Sequence, residues 1–186
     1  MNRLLFCFAF FLVCLNVSSQ VNYDSFVGTW IYQKNDTVFK IKLQKGKTSY
    51  DDDVTLFGGY CLSVRGVVTD NYIGGTIPSV WNVYDSAPSK NIYIVVYYND
   101  QIPTRHGFRF YDQRKKHLNG EGIGGGRIEL IAPNKIHWTL NEREGLWPYL
   151  EGEQVEGHDL PTIEEAIQGF SVPTDVIMIK ENLTKR

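Results

Sequence analysis

Thr37-Val38-Phe39-Lys40-Ile41-Lys42-Leu43-Gln44-Lys45 alternates apolar and polar side chains through its centre. A strand repeats its side-chain direction every second residue, so Phe39, Ile41 and Leu43 share one face and Lys40, Lys42 and Gln44 the other. That is the pattern of a half-buried antiparallel strand, with one face on a core and one in water. The same period recurs outward along the chain. Val54, Leu56, Tyr60, Leu62 and Val64 fall on one side of residues 54–64, and Phe108, Phe110 and Asp112 alternate with Arg109, Tyr111 and Gln113. Arg127–Ile131 and Ile136–Leu140 flank Ala132-Pro133-Asn134-Lys135, whose Pro and Asn suit a hairpin turn. Asn91–Tyr98 is apolar on both faces, as a central strand is. With Phe26–Gln33, Val67–Ile73 and Val176–Lys180, the chain reads as about eight or nine strands.

Turn signals stand between these runs at Lys34-Asn35-Asp36, Gln44–Ser49, Asp85–Lys90 and Lys115–Gly120. Short strands separated by regular turns indicate a sandwich or a barrel. The expected fold is all-β, an antiparallel up-and-down β-barrel, because closing the sheet removes exposed edges. One short helix is expected near the C-terminus. Thr162 and Glu165 form a capping box ahead of Ile163, Ala166 and Ile167, and Gly169 stands at the stop. Glu142–Gly169 otherwise lacks strand periodicity and reads as a long acidic loop that holds this helix.

The N-terminus has the layout of a secretory signal. Arg3 supplies a positive start, Leu4–Leu15 is unbroken apolar sequence, and Val17 and Ser19 are placed for cleavage after Ser19. The apolar run is shorter than the roughly 20 residues that a membrane-spanning helix needs. Residues 1–19 are therefore expected to be a signal peptide and residues 20–186 a single barrel domain. The setting would be exported: periplasmic, cell-surface or secreted. Cleavage removes Cys7 and Cys14, and the remaining Cys61 has no partner for an internal disulfide. No later segment is apolar enough to be transmembrane. With a net charge of −2 over 186 residues, the chain has no basic field to drive nucleic-acid binding.

The residues that carry chemistry elsewhere are not arranged for it here. Gly120-Glu121-Gly122-Ile123-Gly124-Gly125 fits the glycine pattern of dinucleotide sites, but that motif requires a following helix, and these glycines lead into a strand. A hairpin end or a bulged strand explains them. Asp51-Asp52-Asp53 lacks the alternate acidic positions of a calcium loop. His106, His117, His137 and His158 show no spacing that places two imidazoles together. Glu142, Glu144, Glu151, Glu153 and Glu156 supply carboxylates without any spacing that marks a hydrolase pair. No catalytic residue, metal or cofactor is assigned.

Gly28-Thr29-Trp30 occupies the first strand, where in lipocalin-like barrels a Gly-x-Trp closes one end with its indole. Taken in order, Phe26-Val27-Gly28-Thr29-Trp30, Phe39–Leu43, Leu56-Phe57-Gly58-Gly59-Tyr60, Gly126–Leu130 with Trp138, and Phe170-Ser171-Val172-Pro173-Thr174-Asp175-Val176-Ile177 carry a family resemblance. The chain resembles a family of short exported proteins from Bacteroidetes-type bacteria, labelled only as a domain of unknown function. The resemblance implies an envelope or secreted setting and a lipocalin-like barrel, and it transfers no site residue. Leu146–Gln168 is longer than the resemblance leads one to expect.

The leading functional expectation is binding of a small apolar or amphipathic ligand. Trp30 would close one end, Tyr93, Val95 and Tyr97 would line the interior, and Glu142–Gly169 would lie near an opening. The alternative is an envelope protein-interaction or structural module with a filled core and a partner protein. A hydrolase would require two or more of His106, His137, His158 and the loop glutamates to converge in a polar cleft.

Overall fold

The alternating stretch at residue 37 is a strand, and the sheet around it closes on itself. The computed structural model describes residues 23–49, 54–82, 91–97, 101–150 and 163–181. The expected signal segment, Asp51–Asp53, the Asp85–Lys90 turn, His158, Thr162 and Glu151, Glu153 and Glu156 lie outside these residues. The strands are β1 (Gly28–Lys34), β2 (Thr37–Thr48), β3 (Val54–Val64), β4 (Val67–Asn71), β5 (Val80–Trp81), β6 (Ile94–Tyr97), β7 (Arg105–Phe110), β8 (Ile123–Ala132), β9 (Lys135–Leu140) and β10 (Asp175–Lys180). The helices are α1 (Glu142–Leu150) and α2 (Ile163–Ala166).

Eight of the strands form a closed antiparallel barrel in the order β1-β2-β3-β6-β7-β8-β9-β10, and β10 returns to β1 through Trp30↔Lys180 and Ile31↔Ile179. Consecutive barrel strands are neighbours, so the path is up-and-down, as expected. β4 and β5 are additions between β3 and β6. β4 continues along the edge of β3 beside β6, and β5 lies parallel to the end of β2.

Alternation sends one set of side chains inward. Trp30, Phe39, Ile41, Leu43, Tyr60 and Leu62 meet Ile94, Val96, Phe108, Phe110, Ile128, Ile136, Trp138, Val176 and Met178 in one buried core. Trp138 sits at the centre of it. Its indole stacks on Phe108 at 4.3 Å between ring centroids and takes Phe39 and Phe110 edge-on at 5.6 and 5.8 Å. Each such pair adds about 0.5–1.5 kcal/mol beyond burial alone. The barrel interior is therefore filled by side chains over its middle. A second, outer cluster forms where the chain between β4 and β6 folds back on the wall. Phe57 and Val95 project outward there and are covered by Ile77, Ile92 and Tyr111.

Three sequence expectations change. Val95 faces outward while Ile94 and Val96 face the interior, the reverse of the expected lining, because the outer cluster buries the second face of β6. Residues 44–48 continue β2 instead of turning. At Gly46 a side chain would collide with the Phe57 ring, so this glycine admits a close crossing within a strand. Glu142 begins the nine-residue helix α1, where a loop was expected, giving two short helices instead of one. Its first turn lies on the glycine run of β8: a side chain at Gly125 would collide with the Asn141 carbonyl, and one at Gly145 with the Gly124 carbonyl. Gly125 is also left-handed, with φ 78°, at a shift in the β7–β8 register. The glycines make a bulged strand that receives a helix.

Truncating Trp138 to alanine removes the centre of the core and is expected to cost about 3–5 kcal/mol. Urea unfolding followed by circular dichroism checks this; a loss below 1 kcal/mol would mean that the interior is not packed as described.

Candidate functional site

Strand direction divides the barrel into two ends. β1 starts at one end and β7 starts there too, so Trp30 and His106 lie together with the short 3-10 turn Tyr23–Ser25 that precedes β1. Phe26 and Tyr23 cover the His106 ring at centroid distances of 5.1 and 5.2 Å. The Trp30 indole donates to the Phe26 carbonyl at 2.8 Å. Lys180, at the last position of β10, lies 5.1 Å over the Trp30 ring and donates to the Ser25 carbonyl at 3.0 Å. This end is plugged by the chain's own N-terminal segment. His106 is fully buried in it, and neither ring nitrogen makes a well-aligned hydrogen bond among the described residues. Burial lowers the pKa of His106, opposed in part by the Pro103 backbone.

The other end gathers most of the buried polar groups. The segment after β7, the start of α1 and residues 167–172 converge there on two carboxylates. Asp112 accepts from the Arg114 and Lys115 amides at 3.0 and 3.1 Å and from the Ser171 amide and hydroxyl at 2.6 and 2.7 Å. Glu142 accepts from the Gln168 and Gly169 amides at 2.9 and 2.8 Å and lies 2.5 Å from His117 Nε2. The His117 segment is itself unusual, since Lys116, Leu118 and Asn119 all hold left-handed backbone conformations. Such strain persists only where surrounding contacts over-determine it.

Beneath these carboxylates is an aromatic layer. Phe170 packs at 6.1 Å on Phe110 and 5.1 Å on His117, and Phe110 lies 5.0 Å from Tyr60. Tyr60 also meets Tyr72 at 5.0 Å and Tyr93 at 6.2 Å, and Tyr72 and Tyr93 are 4.7 Å apart. Tyr72 follows β4 and Tyr93 precedes β6, so this trio fills the place where the two strands part along β3. The Gln113 amide donates to the Tyr60 hydroxyl at 3.0 Å. Burial pushes all three hydroxyls up, and for Tyr60 it far outweighs the lowering by that amide. Arg114 pairs with buried Asp70 at 3.0 Å beside them. Tyr72 and Tyr93 remain half-buried, so this layer is reachable at its rim.

Of the residues expected to bind a ligand, Trp30 belongs to the plugged end, Tyr93 to the aromatic layer at the opposite end, and Tyr97 to the exposed outer face. They are not brought together. The histidines are separated as well. His106 is in the plug, His117 is paired with Glu142, and His137 lies on the outer face of β9, 2.6 Å from Asp175. Sequence reading missed Asp112, Glu142 with His117, and Ser171. The one available signal was Asn141 three residues before Glu144, whose side chains bond at 2.9 Å at the start of α1. Cys61 is a free thiol, half-buried, with its pKa raised by burial. Among the described residues no three His, Cys, Asp or Glu side chains are grouped as metal ligands, and no helix is long and apolar enough to cross a membrane.

His106 makes stability depend on pH. The unfolded chain protonates near the ordinary imidazole pKa of about 6.5, whereas the folded protein resists protonation until lower pH. Its contribution is intact above about pH 6.5 and falls as the pH drops below that. Urea titrations at pH 7.5 and 5.5 are expected to show a larger loss for the wild type than for His106→Phe; equal losses would remove His106 as the cause.

The model of the family of unknown function DUF6705 matches residues 1–181. No curated protein and no solved structure matches the chain.

Proposed function

The chain belongs to this family of unknown function, and from that premise we propose that it is an exported, non-catalytic binding protein for a small apolar or amphipathic ligand, which it takes at the aromatic end of its barrel. The observation that carries this reading is the layer of Tyr60, Tyr72, Tyr93, Phe110 and Phe170, half-buried at its rim, while the opposite end is plugged. Aromatic walls with a few fixed polar groups suit such a ligand, and Asp70, Arg114 and Asp112 stand beside these rings to orient a polar part of it. In this reading Tyr93 touches the ligand, Trp30 holds the far end shut, and Tyr97 faces outward. The apolar run Leu4–Leu15 behind Arg3 supports export to the periplasm, the cell surface or the medium.

A second reading has its own support. The Phe108–Trp138 stack and its edge-on neighbours fill the middle of the barrel, which favours an interaction or structural module that meets a partner protein through its outer surface.

The full-length gene expressed in an exporting host and purified under native conditions separates these readings. The denatured mass is expected to begin at Gln20. The native mass is expected to carry an extra component that is lost on denaturation and is reduced several-fold in Tyr93→Ala. A protein that retains residues 1–19 contradicts export. A bare native mass, with no change for Tyr93→Ala in binding an added fluorescent fatty acid, overturns the ligand reading and favours the module.

A further inference from the structure

We propose that Gln168–Ser171 is a latched cover, which lifts as one unit to open the Phe110–Tyr60 end of the barrel to an apolar ligand. This rests on the binding reading above and adds the regulation of that site. The segment lies between α2 and β10 and belongs to neither. Three of its four amides are committed to side chains instead of a strand ladder. Gln168 and Gly169 donate to the two oxygens of Glu142, and Ser171 donates through its amide and hydroxyl to the two oxygens of Asp112. Between these latches Phe170 inserts its ring over Phe110 and His117.

The boundaries of the segment suit such a movement. On the upstream side, α2 buries none of its residues and is tied to α1 by an exposed pair between Arg143 and Glu164. Gly169 is left-handed, with φ 67°, a conformation that glycine adopts without strain. On the downstream side the chain is fixed. The Trp138 indole donates to the Pro173 carbonyl at 3.0 Å, and the Leu140 amide donates to the Thr174 carbonyl at 2.7 Å. The cover is thus anchored at residues 173–174 and joined on its other side to the exposed α2. Lifting it removes Phe170 from Phe110, whose inner neighbours are Tyr60 and Trp138. Water can replace every latch bond at the amides, while the exposed rings can be covered again only by an apolar molecule or by the return of Phe170. An opening of this kind sits at the low end of the stability range within a fold, well below global unfolding.

Amide hydrogen exchange resolved to single residues tests this on the wild-type protein. Gln168, Gly169 and Ser171 are expected to share one opening equilibrium that is insensitive to low urea, with exchange on the order of 100-fold faster than at Phe108 and Trp138. Glu142→Gln breaks one latch and is expected to speed exchange at Ser171, which it does not touch. Asp112→Asn is expected to do the same at Gln168 and Gly169. Each variant is also expected to bind the apolar dye 8-anilinonaphthalene-1-sulfonate more strongly than the wild type, with an unchanged far-ultraviolet spectrum. Exchange of the three amides only together with the barrel ladder overturns the cover, as does a response confined to the amides that each mutation touches. Faster exchange without added dye binding overturns the apolar site beneath it. If either variant fails to fold, the wild-type exchange pattern decides. A cover that opens on a protein with a bare native mass and no Tyr93→Ala effect on binding of the added fluorescent fatty acid leaves the cover standing and the binding reading overturned.

Discussion

The pairing of β1 with β10 is the constraint on which the rest of the molecule depends. It is short, registered at Trp30↔Lys180 and Ile31↔Ile179, yet it turns a sheet with two open sides into a ring. Without it, β1 and β10 would each present unpaired amides and carbonyls, and the interior would be open along one side. Closure also brings Lys180 over Trp30 and within reach of the Ser25 carbonyl, so the join between the first and last strands and the plug of the barrel are built from the same residues.

The ring allocates space unequally. Around Trp138 the rings interlock, and Tyr23, Phe26 and His106 seal one end. At the other end the packing passes from aromatic rings to carboxylates that hold three chain segments together through Asp112 and Glu142. Buried carboxylates that accept several amides are favourable only while those donors stay in place. The aromatic layer beneath them is therefore covered by amide-to-carboxylate contacts, whereas the wall is held by the strand ladder.

Much of the wall was legible because strand alternation is a local property. The face that Phe39, Ile41 and Leu43 share in the sequence is the face they bury, and Pro133-Asn134 forms the turn between β8 and β9. The polar end was not legible for the opposite reason. His117 and Glu142 are 25 residues apart, and Asp112 and Ser171 are 59 apart, so only the closed barrel brings them together. α1 was hidden because Gly145 and Pro148 interrupt the helical pattern; Gly145 is required where the helix meets β8. The inward face of β6 was misjudged because residues 94–96 are apolar on both sides. Periodicity cannot choose between two buried faces when an outer cluster such as Phe57, Ile77 and Ile92 covers the second one.

The described chain enters at Tyr23 and leaves at Glu181, and both lie at the plugged end, where the Glu181 amide reaches the Thr29 carbonyl at 2.8 Å. Any attachment made through either tail would therefore hold the barrel by the same pole. The tyrosine-lined pole would point away from the anchor, whichever tail was used. A tether joined directly at Tyr23 and one joined directly at Glu181 would start from the same pole, opposite the face that carries Tyr72 and Tyr93.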